Sequence, residues 1–512
     1  MLAALSLAAD LGVGLPAEHA VRSCYLGMHV ADQLQLSVEQ RAELFYAELL
    51  MDAGCTAWTS HLAASIISDE IAARREFYFF TDASNPLDVL RWLKDYMGAG
   101  APIQVRAHQL LNFALHGRER AREGFRNTCD VARRFAHRLG MSQEVQTALL
   151  SIFEQWDGSG PNGLSGESVP ITSRIVYATS LLEAFHRTAG RQAAIRLAEQ
   201  RKGKAFDPSV VDAFLCLSRA DAFWEGLEQE SAWAAVLAME PPSAHRYLPV
   251  EKLEDVAVAF ADFADLKSFY TTGHSRRVGD LAEGAARQMR LAPEDVTTIR
   301  RAALMHDIGL VAVPSFVLHK PRARLTAAEW ESLRLHPYHG ERILARLPVL
   351  EAVVPLVGAH HERTDGSGYY RSSCAAQLPL GARIIAVADY FDELTHETPD
   401  HPTLDPEEAI KRMNQDTSHG LCSTAAEALE RHLGADASRR KLRPRGWPAG
   451  LSDREVEILR LLAKGLSRRA MAGQLYLSEH TVRHHLEHIY NKIGVSTRVG
   501  ATLFAVEHDL LN

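Results

Sequence analysis

The sequence predicts an all-α protein: two related helical domains in tandem, followed by a smaller helical domain of four helices. Three observations carry this. Segments such as PEDVTTIRRAALMHDIGL and AAEWESLRLHPYHGERILARL place apolar residues at i, i+3 and i+4, the spacing of one helix face. Alternating runs of the strand type are scarce, and only REFYFFTD at 75–82 has a pattern that leaves its state open. Finally, two long stretches repeat each other.

The repeat is read from fixed separations. His19 matches His274, Arg22 matches Arg277, Asp52 matches Asp307 and Gly54 matches Gly309, each pair 255 residues apart. Further on, DGSG at 157–160 matches DGSG at 365–368, now 208 apart, and SRIVYATSLLEAF matches ARIIAVADYFDEL, 209 apart. Constant offsets within blocks mark a duplication. The change between blocks puts an insertion in the first copy, within residues 60–106. The domains are therefore assigned as 1–240, 241–433, a linker at 434–450 and a C-terminal unit at 451–512. The linker, GADASRRKLRPRGWPAG, combines prolines, small residues and a basic run.

Bulk properties narrow the function. A chain of 512 residues has room for two to four domains, and 46% hydrophobic with 23% charged content is ordinary for a globular protein. A net charge of −8 argues against a general basic nucleic-acid coat but leaves room for a local basic face. The six cysteines form no CxxC pair, which points to reduced thiols and a cytoplasmic protein. The opening MLAALSLAADLGVGLP lacks a basic start and is interrupted by Asp10, so it reads as a core helix and not a signal peptide. No uncharged apolar run approaches the ~18 residues of a membrane span.

The second copy carries the chemistry. In order it presents His274, His306-Asp307, His336, His360-His361 and Asp389. Imidazole and carboxylate donors suit Fe, Mn or Zn. There are too many for one tetrahedral site. They suit two metals sharing a bridging carboxylate, with positions left for water, an arrangement that activates a nucleophile and clamps a phosphoryl group. Any single HD or HH pair among 24 histidines is weak; the ordered set carries the weight.

Residues 266–400 resemble the HD-GYP family of metal-dependent phosphohydrolases, through TTGHSRRV, ALMHDIG, VLHKPRARLTAAEWESLRLHP, HHERTDGSGY and ARIIAVADYFDEL. Known members are all-helical, bind two or three metals and hydrolyse cyclic dinucleotides, chiefly cyclic di-GMP. The resemblance implies one metal on His274, His306, Asp307 and Asp389. Asp307 would bridge to a second metal on His336, His360 and His361, with His306 and Asp307 as the catalytic pair. Lys320 and Tyr369 are the expected substrate contacts. Three positions depart from the family pattern. HDIGL puts Leu310 where a lysine is usual, GYY puts Tyr370 where the proline belongs, and Tyr270 replaces the glutamate of trinuclear members. Two divalent ions are thus expected, Fe or Mn first and Zn as an option.

The first copy lacks most ligands. Met51 stands for His306, Ile152 and Phe153 for His360 and His361, Ser180 for Asp389, and a residue near Thr128 for His336. Only His19 and Asp52 remain, too few for a dinuclear site. Apolar replacements fit a pocket packed as core, and a scaffold or regulatory role. The DGSG turn outlasts the ligands, so its role is structural in both copies.

The C-terminal stretch carries helix punctuation: Ser452 with Glu455 as a capping box, a stop at Gly465, and caps at Ser467 and Ser478. It resembles the DNA-binding domain of LuxR-type response regulators, whose third helix enters the major groove. By that resemblance Arg483, His484 and Glu487 face bases, while Thr481 and Lys492 face phosphates. Linker residues Arg439, Arg440, Lys441, Arg443 and Arg445 could add phosphate contacts, and a homodimer is expected. The whole chain reads as a phosphodiesterase-like sensor for cyclic di-GMP or a relative, coupled to a DNA-binding transcriptional regulator. The alternative is a catalytically weak or inactive transcription factor that senses a ligand or metal.

Overall fold

A computed structural model describes residues 2–81, 86–99, 101–229, 232–242, 252–437 and 447–511. The basic linker residues 439–445 lie outside these, as do residues 243–251, just after the expected 240/241 boundary. Among the described residues there is no β-strand. The chain forms two compact units, Met1–Asp255 and Val256–Asn512.

The first unit opens with α1 (Leu2–Val13), α2 (His19–Gln33) and α3 (Val38–Leu50). The apolar N-terminal stretch is a core helix: Ala4, Leu5, Ala8 and Ala9 are buried. The stretch assigned as insertion forms α4 (Thr59–Ile66), α5 (Glu70–Phe80) and α6 (Pro86–Tyr96) before the long α7 (Ile103–Arg138). REFYFFTD is therefore helical through Phe80. These added helices bury a small core of their own around Ile66, Ala73, Trp92 and Met97. Then come α8 (Gln143–Leu150), α9 (Ile171–Ala189), α10 (Arg191–Arg201), α11 (Pro208–Leu217), α12 (Asp221–Glu228) and α13 (Trp233–Ala238). The centre of the unit is α2 packed on α3 and α9.

The second unit repeats that plan. After α14 (Leu253–Asp265) come α15 (His274–Gln288) and α16 (Pro293–Met305), then the short α17 (Ser315–Leu318) and α18 (Ala327–Arg334). There follow α19 (His336–Leu344), α20 (Val354–Val357), α21 (Leu380–Thr395), α22 (Pro406–Asp416) and α23 (Ser423–Ala437). Helix α15 packs on α16, α21 and α23, as α2 packs in the first unit. Its start is fixed locally. Gly273 takes φ +75°, which a side chain resists, and Asp265 accepts from the Ser275 backbone N–H at 3.0 Å and hydroxyl at 2.6 Å.

The chain ends in α24 (Asp453–Ala463), α25 (Arg468–Leu475), α26 (Glu479–Ile493) and α27 (Arg498–Glu507). Ser452 and Glu455 form the capping box, Gly465 turns the chain at φ +81°, and Ser467 and Ser478 cap α25 and α26. Val456, Leu459, Leu462, Met471, Val482 and Ile489 fill the core of this domain. Its α24–α25 turn and the end of α27 rest on the segment leading into α15. A Cβ on Gly465 would come within 2.8 Å of the Phe269 ring, Val506 approaches Gly273, and Lys464 lies 3.9 Å from Glu397. The charges of Glu507 and Asp509 act on Arg276 and Arg277.

Candidate metal centre

Helix ends and loops of the second unit converge seven side chains. His306 is the residue that ends α16, and Asp307 follows it into a tight turn. His336 begins α19, His360 and His361 follow α20, His274 begins α15, and Asp389 lies within α21. Donor atoms of Asp307, His336, His360 and His361 lie within 4.8 Å of one another, as do those of His274, His306 and Asp389. Asp307 touches both sets: one oxygen is 3.3 Å from His336 Nε2, the other 3.5 Å from His306 Nε2.

Backbone carbonyls fix the imidazoles. The Nδ1–H groups of His306, His336 and His360 donate to Ala303, Leu333 and Val357 at 2.7, 2.7 and 2.6 Å. A carbonyl only accepts, so each ring carries its proton on Nδ1 and turns a bare Nε2 lone pair inward. His336 Nε2 and His360 Nε2 then face each other at 3.1 Å, two acceptors with no proton between them. His306 Nε2 is buried with no hydrogen-bond partner among the described residues. Opposed and orphaned lone pairs at buried nitrogens fit cations. The donor set therefore suits divalent metal ions.

The electrostatics agree. Burial holds His360 down to about 4, and burial with the neighbouring His360 keeps His361 well below the usual histidine value. Burial opposes the charge of Asp307, yet His306, His336 and His360 hold it well below the carboxylate range. Burial opposes the charge of His274 and His306, yet the carboxylates beside them, Asp389 and Asp392 for the first and Asp307 and Asp389 for the second, raise both above the usual histidine value. Ionised carboxylates and neutral imidazoles are the forms that ligate metals, so a cation here would displace protons from those two rings. His274 is oriented by a residue the sequence reading missed: Asp392 accepts from its Nδ1 at 2.7 Å and is itself gripped by Arg277 at 2.7 and 2.9 Å. Asp392 lies three residues after Asp389 on α21, and that spacing on one helix face was the available signal.

The remaining expected residues fall as follows. Tyr369 is close to His361, ring centres 4.7 Å apart, and lines a cavity of about 780 Å³ together with His274, Asp307, His336, His361 and Asp389. Lys320 also lines it, but its ammonium is bound to Glu329 at 2.6 Å and sits over Phe316. Leu310 packs with Val313 and Val317, an apolar wall in place of a charge. Tyr370 substitutes hydrogen bonding for a proline's rigidity. Its hydroxyl donates to Glu341 at 2.6 Å, and the buried Glu362 accepts from the backbone N–H of Arg371 and Ser373. On α26, Arg483 and Glu487 pair at 2.9 Å on the exposed face, where His480, His484 and His488 form a row. Thr481 bonds Ser478, and Lys492 turns back to Glu455 at 2.7 Å and the Gly450 carbonyl.

Residues 259–421 match the HD domain family, and residues 449–505 match the bacterial regulatory proteins of the luxR family. A relative in Vibrio cholerae, 3'3'-cGAMP-specific phosphodiesterase 3, is 31% identical over 434 residues, 85% of this chain and 94% of its own. The chain belongs to the HD-GYP family of cyclic-dinucleotide phosphodiesterases. An HD-GYP relative from Thermotoga maritima, a cyclic di-GMP phosphodiesterase, is 36% identical over 152 residues, 29% of this chain and 41% of its own. A crystal structure of a cyclic GMP-AMP specific phosphodiesterase from V. cholerae covers 85% of this chain and 96% of its own, at 28% identity and a TM-score of 0.58. A 434-residue match exceeds either compact unit, so the similarity extends over parts of both. HD-domain phosphodiesterases are metal-dependent, and a luxR-family domain marks this member as a fusion to a DNA-binding regulator. No helix among the described residues is long and apolar enough to cross a membrane.

Proposed function

We propose that the second unit hydrolyses a cyclic dinucleotide of the cyclic GMP-AMP or cyclic di-GMP class, and that the C-terminal domain binds DNA in a manner that depends on the state of this site. The carrying observation is the inward-facing donor set opening onto a cavity large enough for a nucleotide ligand. His274, His306 and Asp389 would hold one divalent ion and His336, His360 and His361 a second, with Asp307 between them; nitrogen and oxygen donors suit Fe or Mn, and also Zn. When bound, such ions supply a Lewis-acid grip on phosphoryl oxygens and lower the pKa of water for in-line attack. The chain's residues do the rest. Asp392 holds His274 in one tautomer, Tyr369 walls the ligand against His361, and Leu310, Val317 and Leu333 exclude water.

Arg483, His484 and Glu487 are the proposed base contacts, with Thr481 and Lys492 near phosphates, and the protein acts as a cytoplasmic homodimer. Lys492 must leave Glu455 to reach a phosphate. The link between sites is the segment 268–274. Ser268, Tyr270, Thr271 and His274 line the cavity, while Phe269 and Gly273 meet the C-terminal domain. A ligand shifts DNA binding only by favouring one arrangement of that seam. The apolar wall at Leu310 favours slow turnover, in which bound nucleotide persists as a signal. Full-length protein loaded with Mn(II) or Fe(II) should convert 3'3'-cyclic GMP-AMP or cyclic di-GMP to linear dinucleotide by chromatography. Nucleotide binding without turnover under either metal would reject hydrolysis and leave the sensor.

A further inference from the structure

We propose that Arg322 is the phosphate clamp of this site, supplying the cation that Leu310 does not. This rests on the cyclic-dinucleotide reading above. A cyclic dinucleotide carries two anionic phosphodiesters. The metal ligands account for a grip on one side of the cavity only, and the wall beside them at Leu310, Val317, Leu318 and Leu333 is apolar. Lys320 is engaged by Glu329 and Phe316. Arg322 lines the same cavity in a different state.

It is aimed by its neighbours. The Arg322 backbone N–H donates to Asp400 at 2.7 Å, Nη2 donates to Glu393 at 2.6 Å, and Nε faces Asp400 at 3.5 Å. Among the described residues Nη1 has no hydrogen-bond partner, and the side chain is 48% exposed. Glu393 lies one helical turn beyond Asp389 on α21, so the pair hangs next to the metal-ligating carboxylate. The carboxylates of Glu393, Asp400 and Asp389 all act on the guanidinium. A planar guanidinium held through Nη2 and flanked at Nε by Asp400, on a side chain that lines a cavity beside a metal set, is preorganised for a non-bridging phosphate oxygen. A surface ion pair needs neither the double anchoring nor the cavity. Glu393 and Asp400 act as positioning residues, holding the fork so that little side-chain freedom is lost when substrate arrives.

The test is equilibrium binding of 3'3'-cyclic GMP-AMP to Mn(II)-loaded full-length protein by calorimetry, with turnover measured separately. Arg322→Ala should weaken binding about 10- to 100-fold, with Arg322→Lys between it and wild type, and should flatten the salt dependence of Kd. Arg322→Gln, closer in shape, gives the same answer should the alanine variant fold poorly. Wild-type affinity in both Arg322→Ala and Arg322→Gln, with affinity lost instead in Lys320→Ala, overturns the clamp. A wild-type protein that binds, loses affinity on Arg322→Gln and never turns over upholds the clamp and rejects hydrolysis. A wild-type protein that binds no cyclic dinucleotide removes both.

Discussion

The two repeats keep one frame and differ in what it holds. In the second, Asp265 fixes the start of α15 and Asp392 holds His274. In the first, Asp10 accepts from the His19 backbone N–H at 2.9 Å, and Glu183 holds His19 Nδ1. A Cβ on Gly309 would lie 1.9 Å from the His336 carbonyl, and one on Gly54 would lie 1.9 Å from the Thr128 carbonyl. That equivalence identifies Thr128 as the counterpart of His336, which the sequence alignment located only loosely. Where the second repeat has converging imidazole and carboxylate donors, the first has buried Met51 and Ile152, and His19 Nε2 meets the Ser180 hydroxyl at 3.1 Å. It has also gained Glu48, fully buried, where the second repeat has Ala303. The architecture of an HD site therefore survives the loss of most of its donor side chains. The chemistry lies in a few donor atoms, and the frame alone is no evidence of activity.

Writing first-repeat residues into the second breaks this comparison most severely. Asp389→Ser, which imports Ser180, should reduce turnover roughly a thousandfold and lower bound metal; near-normal turnover with full metal content would contradict it. The reciprocal Met51→His should change neither. Next is the residue behind the histidine. Asp392→Asn should cost about 10- to 100-fold in metal affinity or activity, whereas Glu183→Gln should leave turnover unchanged and register only as a lower unfolding midpoint.

Glu48 gives a smaller effect on stability. Burial raises its carboxyl from 4.5 to about 8, the Thr179 hydroxyl donates to one oxygen, and the other oxygen has no partner. Between those two values the folded chain keeps a proton that the unfolded chain releases. This group's contribution to stability therefore falls as pH rises through that window, and is flat above it, with a slope of up to about 1.4 kcal/mol per pH unit. Asp10, raised by burial to about 8, adds a second slope of the same sign. Glu48→Gln should thus reduce the loss of stability between pH 5 and 7.5 in denaturant titrations without abolishing it. An unchanged pH profile would show that Glu48 is already ionised. The smallest effect belongs to the shared turn. Asp157 and Asp365 each accept from the serine N–H two residues on, at 3.0 Å in both copies. Replacing either by alanine should cost about 1 kcal/mol, and the Asp365 variant should keep its metal ligands.

Much of this was legible in sequence. Helical periodicity gave the fold class, and constant offsets gave the tandem repeat. The ordered histidines and aspartates gave the seven side chains that the fold brings together, because metal chemistry restricts residue type at every position. The caps at Ser452, Ser467 and Ser478 were readable because each satisfies a local backbone group. What depends on distant partners was not. Asp392 and Glu362 look like ordinary acids until the fold brings His274 to one and the 371–373 backbone to the other. Tyr370 was readable as a missing proline, but not as a hydroxyl bonded to Glu341. Lys320 was expected at the substrate and Lys492 at a DNA phosphate, and the fold gives each a carboxylate partner that the sequence did not announce. The contact of Phe269 with Gly465 joins residues 196 apart and left no local pattern.

The most direct test of the account measures bound metal and linear dinucleotide product on the same preparations of wild-type protein and the His306→Ala/Asp307→Ala double variant, each reconstituted with Mn(II) or Fe(II). The account predicts about two ions per chain and hydrolysis of a cyclic dinucleotide in the wild type, with both lost in a variant that still folds. Hydrolysis that persists in the folded variant would contradict it.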